Sequence, residues 1–424
     1  MTDRVRCKNP SCEHRILPDT AARNDGLCMP CVHAAARREK AAYIQAHRRD
    51  VYAFEGITSP VEILKLVHRP RPFDPLINWL PYPTRTDRLY LNLSAEEARC
   101  LADHAADLAG TERHEEAEEI GLCLAAFTDT NLDACLRRFV DLGTLWPSLP
   151  FHRSPPDVRD ALLARLESDI DVLQRNHVLL ALAWIGDAVV VEQFAQWVRH
   201  PPGWGETLHI APQDYAREAG WELTSGGQRR NLYFSTCTPL ERGANTTDSG
   251  IRTTIARTDN CPQCAMPLTN LFELSSNTCD LPELENWRVS VAIACCERCT
   301  CAATVFGCVD DSGQAHWSPQ NILPAPLPTD TGAYDKLPSN VLRAGPQRPP
   351  LFAAHEFLPT TFSQLGGHPT WIQDARYPLC PDCEQTMMFL GQLDHQDMED
   401  GTEGIYYAFI CLDCRTTATS YQQS

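Results

Sequence analysis

The C-terminal part of the chain contains the stretch CPDCEQTMMFLGQLDHQDMEDGTEGIYYAFICLDCRTTATSY, residues 380–421. It begins with the pair Cys380/Cys383 and carries a second pair, Cys411/Cys414, each with the spacing Cys-x-x-Cys (CxxC). A CxxC pair places two sulfurs on one tight turn, here called a knuckle, so both can bind one tetrahedral ion at about 2.3 Å. Two knuckles joined by strands complete a four-cysteine site. The stretch therefore predicts a zinc ribbon.

The same arrangement occurs a second time, earlier in the chain. Cys261/Cys264 and Cys296/Cys299 are again CxxC pairs, and both copies read knuckle, strand, strand, knuckle, strand. Alternating apolar residues predict the strands. They lie at 268–274, 289–294 and 302–306 in the first copy, and at 387–393, 405–410 and 416–421 in the second. The repeat therefore predicts two zinc ribbons, each with four cysteine ligands.

A third group of cysteines lies near the N-terminus. Cys28/Cys31 is a CxxC pair, and Cys7/Cys12 is a looser pair with four intervening residues. These four cysteines predict a third zinc site, although His14 or His33 could replace a cysteine in it. A basic helical stretch, 34–49, follows. The sequence thus predicts about three structural zinc ions.

The other cysteines are interpreted more simply. Cys295 and Cys301 flank a knuckle and could exchange into its site, but we interpret both as buried small residues. A redox role for a CxxC pair needs a thioredoxin-like βαβ setting, which is absent around all five pairs. The remaining cysteines are assigned to apolar helix faces (Cys100, Cys123 and Cys135) or have no partner spacing (Cys237, Cys279 and Cys308).

Residues 94–203 have a helical pattern. Ser94 and Glu97 match a capping box, in which each side chain satisfies a backbone N–H group of the other residue. We predict helices over 94–110, 112–128, 132–142, 156–167, 173–184 and 188–199. The last two meet at Gly186-Asp187, where Asp187 caps the second helix. This hairpin resembles a HEAT-type repeat, whose stacking forms a solenoid with an open concave face.

These patterns divide the chain into four regions and predict an α+β multidomain protein. The regions are an N-terminal zinc finger with a basic helix (1–50), a Pro-rich connector (51–93), a HEAT-like helical domain (94–203) and a β-rich domain with two zinc ribbons (225–424). X-Pro steps at 70–75 and 81–83 favour extended backbone in the connector. The segment 231–237, NLYFSTC, predicts a strand of the β-rich domain.

The net charge of −18 is unevenly distributed. Residues 1–50 carry a net +4, which leaves −22 on the rest of the chain. A surface this acidic repels phosphate backbones and attracts basic proteins. We therefore expect a protein partner and no nucleic acid. No apolar run of about 18 residues is present, so we expect no membrane contact. The first residues lack the apolar segment of a signal peptide, and twenty cysteines are expected to stay reduced. We therefore expect a cytoplasmic protein.

The sequence offers little catalytic chemistry. A catalytic zinc keeps one coordination position open for water, whereas four thiolates fill all four positions. The residues HEE at 114–116 match part of the zinc-deaminase signature, but the accompanying P-C-x-x-C does not follow. No Walker A loop, G-x-G-x-x-G or G-x-S-x-G element is present. We therefore expect structural zinc and no enzymatic activity.

Two further elements resemble the YwqG-like family of bacterial proteins, a domain of unknown biochemical function. LGGHPTWIQ at 365–373 is similar to the family's GG-x-P-x-W-x-Q loop, and FLGQLD at 389–394 is similar to its L-x-Q-L/I-D strand. The resemblance covers roughly 232–424. The glycines permit a tight turn, Pro369 and Trp371 form an apolar plug, and Gln373 could tie a strand edge.

The resemblance implies a protein-binding role. Family domains resemble chaperones of the programmed-cell-death-protein type, which pair zinc knuckles and hold a ribosomal protein, and bacterial relatives act as immunity factors beside toxin genes. We expect an immunity protein that neutralises a cognate bacterial toxin by occluding its active site. The alternative is a chaperone or assembly factor for a basic client such as a ribosomal protein. A third hypothesis is an enzyme that uses His368 and Gln373 in a groove near 366–373.

Overall fold

The computed structural model describes residues 3–243, 250–275, 281, 284, 290–322, 324 and 337–424. The chain forms two compact units, Met1–Pro83 and Thr84–Ser424. Their boundary lies inside the segment 51–93, which also contains helices and a strand. Helices and β-sheets are mixed along the chain, so the predicted α+β class is confirmed.

The N-terminal unit combines short strands with three helices. Its elements are β1 (Val5–Arg6), β2 (Arg15–Ile16), α1 (Pro18–Arg23), α2 (Met29–His47), β3 (Arg49–Val51), α3 (Pro60–His68) and β4 (Ile77–Trp79). The helix predicted at 34–49 begins earlier, at Met29, because the knuckle residue Cys28 is its N-cap and Pro30 suits the first turn. In α3, the Ser59 side chain accepts a hydrogen bond from the Glu62 N–H group at 3.5 Å and caps the helix.

The helices of the second unit include the six that the sequence predicts, each to within two residues at either end. They are α4 (Thr86–Leu91), α5 (Ala95–Leu108), α6 (His114–Phe127), α7 (Asp133–Leu142), α8 (Pro156–Leu166), α9 (Val172–Ile185) and α10 (Ala188–Arg199), with short 3-10 helices at Leu149–Arg153, Gly203–Thr207 and Pro212–Ala219. Helix capping by local side chains explains why the predicted and observed helix ends agree. The Ser94–Glu97 capping box is present, and the Asp187 carboxylate accepts the Val189 and Val190 N–H groups at 3.1 and 2.9 Å.

The strands of the second unit form a large sheet and smaller ones. They are β5 (Trp221–Leu223), β6 (Arg229–Asn231), β7 (Cys237–Arg242), β8 (Ile251–Asn260), β9 (Pro267–Leu274), β10 (Val291–Cys295), β11 (Val305–Val309), β12 (Ala315–Trp317), β13 (Leu342–Ala344), β14 (Gln364–Gly366), β15 (Met388–Asp394), β16 (Ile405–Cys411) and β17 (Thr416–Gln422), with short helices α11 (Glu297–Thr300) and α12 (His395–Met398). The eight-stranded sheet has the order β12-β11-β17-β16-β15-β14-β7-β13, and a second sheet has the order β10-β9-β8.

The inner strand β16 of the eight-stranded sheet is buried on both faces. Alternate residues of a strand point to opposite faces, so β16 contributes to two hydrophobic clusters. Tyr406 and Ile410 join the cluster that contains the three-stranded sheet. Tyr407 and Phe409 join a second cluster with Trp371. A strand buried on both faces reads as a continuous apolar run, as residues 405–410 do.

The two ribbon copies differ in the pairing of their third strand. In the second copy β15, β16 and β17 are neighbours in one sheet, whereas in the first copy β9 and β10 pair and β11 joins β17 of the other copy. The strand predicted at 302–306 begins only at Val305, because α11 and the turn after it occupy the preceding residues. The start of the strand predicted at 289–294 lies outside the described residues.

The prediction of one strand over 231–237 is wrong. β6 ends at Asn231 and β7 begins at Cys237. Leu232 and Phe234 are fully buried but belong to different clusters, on opposite faces of the sheet. Residues two apart in a strand point to the same face, so this segment must leave strand geometry. Among the described residues, no helix has the length and apolar character needed to cross a bilayer.

Candidate metal centres and the neighbouring loop

The twelve cysteines predicted as ligands come together as three groups of four. In each group the four Sγ atoms lie within 4.8 Å of one another. The groups are Cys7, Cys12, Cys28 and Cys31; Cys261, Cys264, Cys296 and Cys299; and Cys380, Cys383, Cys411 and Cys414. The structure therefore groups these cysteines as the spacing predicts.

The sulfur spacing fits one tetrahedral ion in each group. Four ligands at about 2.3 Å from an ion lie about 3.8 Å apart along the tetrahedron's edges, whereas a disulfide bond is about 2.05 Å long. The measured Sγ–Sγ distances include Cys7–Cys31 at 3.8 Å, Cys261–Cys299 at 3.8 Å and Cys383–Cys411 at 3.7 Å. Each group can thus hold a metal ion in a closed four-sulfur site.

The first knuckles of the two ribbon copies share one backbone conformation. The Ala265 N–H group donates to the Cys261 carbonyl at 2.9 Å, and the Glu384 N–H group donates to the Cys380 carbonyl at 2.8 Å. Ala265 and Glu384 both have a φ of 59°, in the left-handed region that non-glycine residues rarely adopt. The same unfavourable conformation at matching positions supports the internal repeat that the cysteine spacing suggested.

The N-terminal group uses four sulfurs, and a histidine lies beside it. His14 Nδ1 lies 3.3 Å from Cys12 Sγ, while His33 is exposed. The Asn9 side-chain amide donates to Cys31 Sγ, and the Cys28 N–H group donates to Cys7 Sγ, both at 3.3 Å. These donors would stabilise thiolate charge and orient the sulfurs.

Several thiols in these groups have displaced pKa values. Hydrogen bonds from the backbone of Cys28 and Asn9 lower the pKa of Cys7 to about 7. The backbone of Gln385 lowers the pKa of Cys383. Burial raises the pKa of Cys411 to about 11. Each group contains several neighbouring thiols, and a bound cation would offset the repulsion between their thiolates.

Several of the other cysteine assignments change. Cys295 is buried, with Sγ 3.3 Å from Thr300 Oγ1, whereas Cys301 is exposed, so the prediction that Cys301 is buried is wrong. Cys100 is also exposed, because the buried stripe of α5 runs through other positions. Of the other cysteines, Cys123, Cys135 and Cys237 are buried and Cys308 is half-buried. Cys279 lies outside the described residues.

The loop 366–373 packs tightly beside the start of β7. Gly366 and Gly367 have φ values of 68° and 70°. A Cβ atom on Gly366 would lie 2.1 Å from the Thr236 carbonyl oxygen, so only glycine fits there. Trp371 is 8% exposed and fills the apolar cluster, as the plug interpretation predicts. The Gln373 side chain donates to the Gln423 carbonyl at 3.0 Å, one residue beyond the end of the inner strand β17, so it ties a strand end and not the predicted strand edge.

Buried glutamines hold this loop, which the sequence did not reveal. Gln392 donates to Phe362 O at 2.8 Å and Thr370 Oγ1 at 2.7 Å, and accepts the Thr370 N–H group at 2.9 Å. Gln364 donates to the His368 carbonyl at 2.7 Å. His368 itself is fully buried, and burial lowers its pKa to about 4. These hydrogen bonds hold the loop in one conformation, and His368 is buried within it.

A cavity of about 550 Å3 lies beside the loop. It is lined by residues 371–375 and 354–356 and by residues of α9 and of the 3-10 helix Pro212–Ala219. Trp146 also lines it. The cavity therefore joins segments from the helical and the β-rich parts of the second unit.

These features define a class of α+β protein with three four-cysteine groups that can each hold a metal ion, and a glycine-rich loop beside a cavity. The chain is 51% identical, over 428 residues and the full length of both proteins, to a Salmonella typhimurium protein described as the uncharacterized protein YpfL. It therefore belongs to the same family as YpfL. No family model matches the chain, and no solved structure matches it.

Proposed function

We propose that this protein is a zinc-stabilised protein-binding protein, in which each four-cysteine group holds one Zn²⁺ ion. Thiolate ligands at tetrahedral spacing suit zinc, with iron as the other ion that commonly takes four cysteines. Four sulfurs leave no position for a reactive water, so the ions stabilise the fold and take no part in catalysis. Because structural zinc contributes folding free energy directly, it would hold the surrounding surface in one shape.

The observation that carries the binding function is a cluster of exposed apolar side chains around the cavity. Trp146 is 43% exposed and Ile210 is 47% exposed, and both line the cavity. Phe357 is 61% exposed, and its ring lies 5.1 Å from that of the lining residue His355. Large apolar groups grouped around a depression are typical of protein-interaction sites, where aromatic residues supply most of the binding energy.

The charge of the chain favours a basic partner. Residues 51–424 carry a net charge of −22, which attracts cationic proteins at long range. The resemblance to YwqG-like proteins favours a bacterial toxin as that partner, bound in the cytoplasm so that its active site is covered. The same acidity supports a second candidate function, the chaperoning of a basic client such as a ribosomal protein.

Co-expression with the product of each adjacent gene that is toxic when expressed alone tests the proposal. We expect a 1:1 complex by size-exclusion chromatography and survival of cells that otherwise die from the toxin. The double variant Trp146→Ala/Phe357→Ala should lose both, because it removes the exposed aromatics. Val189→Ala, which shortens an apolar side chain 45% exposed on α10, is the matched control and should retain both.

Two results would decide against this function, and a third would decide against the proposed binding surface. Toxin-expressing cells that die despite abundant zinc-loaded protein would refute neutralisation. Purification of the chain with one stoichiometric ribosomal protein, and with no toxin, would establish the chaperone function in its place. A complex that forms equally well with the double variant would show that the apolar cluster is not the binding surface.

A further inference from the structure

The cavity beside the loop has walls of indole rings. Trp146, Trp184 and Trp371 all line it. Contacts with neighbouring rings hold them in place. The ring centroids of Trp184 and His368 lie 4.8 Å apart, and those of the stacked rings of Trp371 and Tyr407 lie 4.9 Å apart. Indole faces carry negative electrostatic potential and attract cations more strongly than other aromatic side chains. An indole face that is open to the cavity would therefore attract a positively charged group.

Carboxylates line the same space. They belong to Asp214, Glu218, Glu356 and Asp374, against the single guanidinium of Arg217 among the lining residues. Within the described part of the chain, none of these four carboxylates forms an ion pair. Four acidic groups against one guanidinium leave part of the negative charge along this cavity uncompensated.

Glu218 is the most constrained of these carboxylates. One of its oxygens accepts the Ala375 N–H group at 2.6 Å, which holds the side chain at the cavity wall. Burial raises the pKa of Glu218 to about 7, and the neighbouring Asp374 adds to the effect. Burial also lowers the pKa of His355 to about 4, so this lining histidine is neutral at physiological pH. A further cation bound beside Glu218 would favour the charged form of this carboxyl, so the cavity has room for a second positive group besides Arg217.

We propose that this cavity binds the cationic end of an arginine or lysine side chain presented by the partner protein. This inference rests on the proposed protein-binding function and assigns the partner's anchor residue. A cation would gain from the indole faces and from the unpaired carboxylates together. An anion would be repelled, and an apolar group would leave the carboxylates without a partner. A planar guanidinium stacks on indoles as well as bonding to carboxylates, so arginine should bind more tightly than lysine.

The surroundings favour a side chain on a protein over a free organic cation. The volume of about 550 Å3 exceeds what one guanidinium fills, and the mouth carries the exposed apolar groups of Trp146 and Ile210. Those groups would contact the residues on either side of a bound arginine. Such an apolar rim around a charged anchor excludes water and strengthens the central contact.

Peptide titration tests this inference without knowledge of the natural partner. The probe is the peptide acetyl-GLRLG-amide, and its control replaces arginine with the uncharged isostere citrulline. We expect calorimetry with the zinc-loaded full chain to show binding of the arginine peptide at least ten times tighter than the citrulline peptide. Agmatine, a free guanidinium compound, should bind at least ten times more weakly than the arginine peptide.

Two variants localise the binding site. Glu218→Gln keeps the acceptor for Ala375, and Asp374→Asn changes an exposed residue, so both should fold. Each should weaken arginine-peptide binding about ten-fold, whereas Glu167→Gln, an exposed carboxylate at the end of α8, should not. Equal binding of the two peptides, equal binding of agmatine, or no effect of either variant would overturn the inference.

This outcome is separable from that of the proposed function. A toxin or client complex that forms normally with the Glu218→Gln/Asp374→Asn double variant would overturn the cationic anchor while the protein-binding function stands. Arginine-peptide binding that disappears in the double variant supports the anchor even where the toxin is not neutralised.

Discussion

Replacing Gly366 by alanine should destabilise the second unit by about 3–5 kcal/mol. Alanine at the observed φ of 68° costs about 1 kcal/mol, because an L-residue is disfavoured in the left-handed region. Its Cβ would also lie 2.1 Å from the Thr236 carbonyl oxygen, more than 1 Å closer than an ordinary contact. That carbonyl already accepts the Gly367 N–H group at 2.8 Å, so it cannot move without losing this hydrogen bond. Overpacking typically costs about 1–3 kcal/mol, and the hydrogen bond about 1 kcal/mol more.

Gly401→Ala is the matched control. Gly401 has a similar φ of 83°, but no atom lies within 4 Å of the position that a Cβ would take. Its substitution should therefore cost only the conformational part, about 1 kcal/mol. Urea unfolding of the zinc-loaded proteins, followed by circular dichroism, measures both values. A difference between the two variants below about 1 kcal/mol would refute the close packing of the loop against Thr236.

Three further predictions concern the metal, pH and the buried hydrogen bonds. Cys380→Ser should reduce bound zinc from three ions to two and lower the melting temperature, because a structural zinc site contributes on the order of 10 kcal/mol to folding; Cys308→Ser should change neither. Wild type should lose stability relative to Glu218→Gln as the pH rises from about 5 to 7. Burial raises the pKa of Glu218 to about 7, compared with about 4.3 in the unfolded chain. The native state therefore binds the proton more tightly than the unfolded state, and this contribution to stability is lost as the pH rises. Gln392→Met should cost about 3 kcal/mol in urea unfolding, because the buried Gln392 side chain loses three hydrogen bonds. Gln396→Met, at an exposed position, should change stability by less than about 0.5 kcal/mol.

Specific results would contradict each of these. Three zinc ions in Cys380→Ser by elemental analysis would show that this cysteine is not a ligand. Parallel stability curves for wild type and Glu218→Gln between pH 5 and 7 would show that the carboxyl is not buried as described. A Gln392→Met protein as stable as Gln396→Met would show that the amide network contributes nothing.

Features set by neighbouring residues were predictable from the sequence. A CxxC knuckle is local, so its spacing identified the cysteine pairs, and the strand repeat then paired the knuckles into groups. Helix ends are also local, because caps such as Ser94 and Asp187 satisfy N–H groups two or three residues away. The Gly366-Gly367 turn follows from glycine's access to positive φ.

Features set by distant residues were not predictable. The break between β6 and β7 arises because Leu232 and Phe234 enter clusters on opposite faces of a sheet whose other strands come much later in the chain. The partners of Gln392 lie 22 and 30 residues away. The cavity likewise combines α9 with segments near 214 and 374, so no local pattern indicated that its carboxylates and indoles meet.

Metal analysis of the purified chain decides whether three closed zinc sites hold this fold. We expect three zinc ions per chain by elemental analysis, and zinc X-ray absorption spectra that fit four sulfur ligands per ion at about 2.3 Å. One zinc ion or none, iron in place of zinc, or a substantial nitrogen or oxygen contribution to the spectra would contradict the assignment.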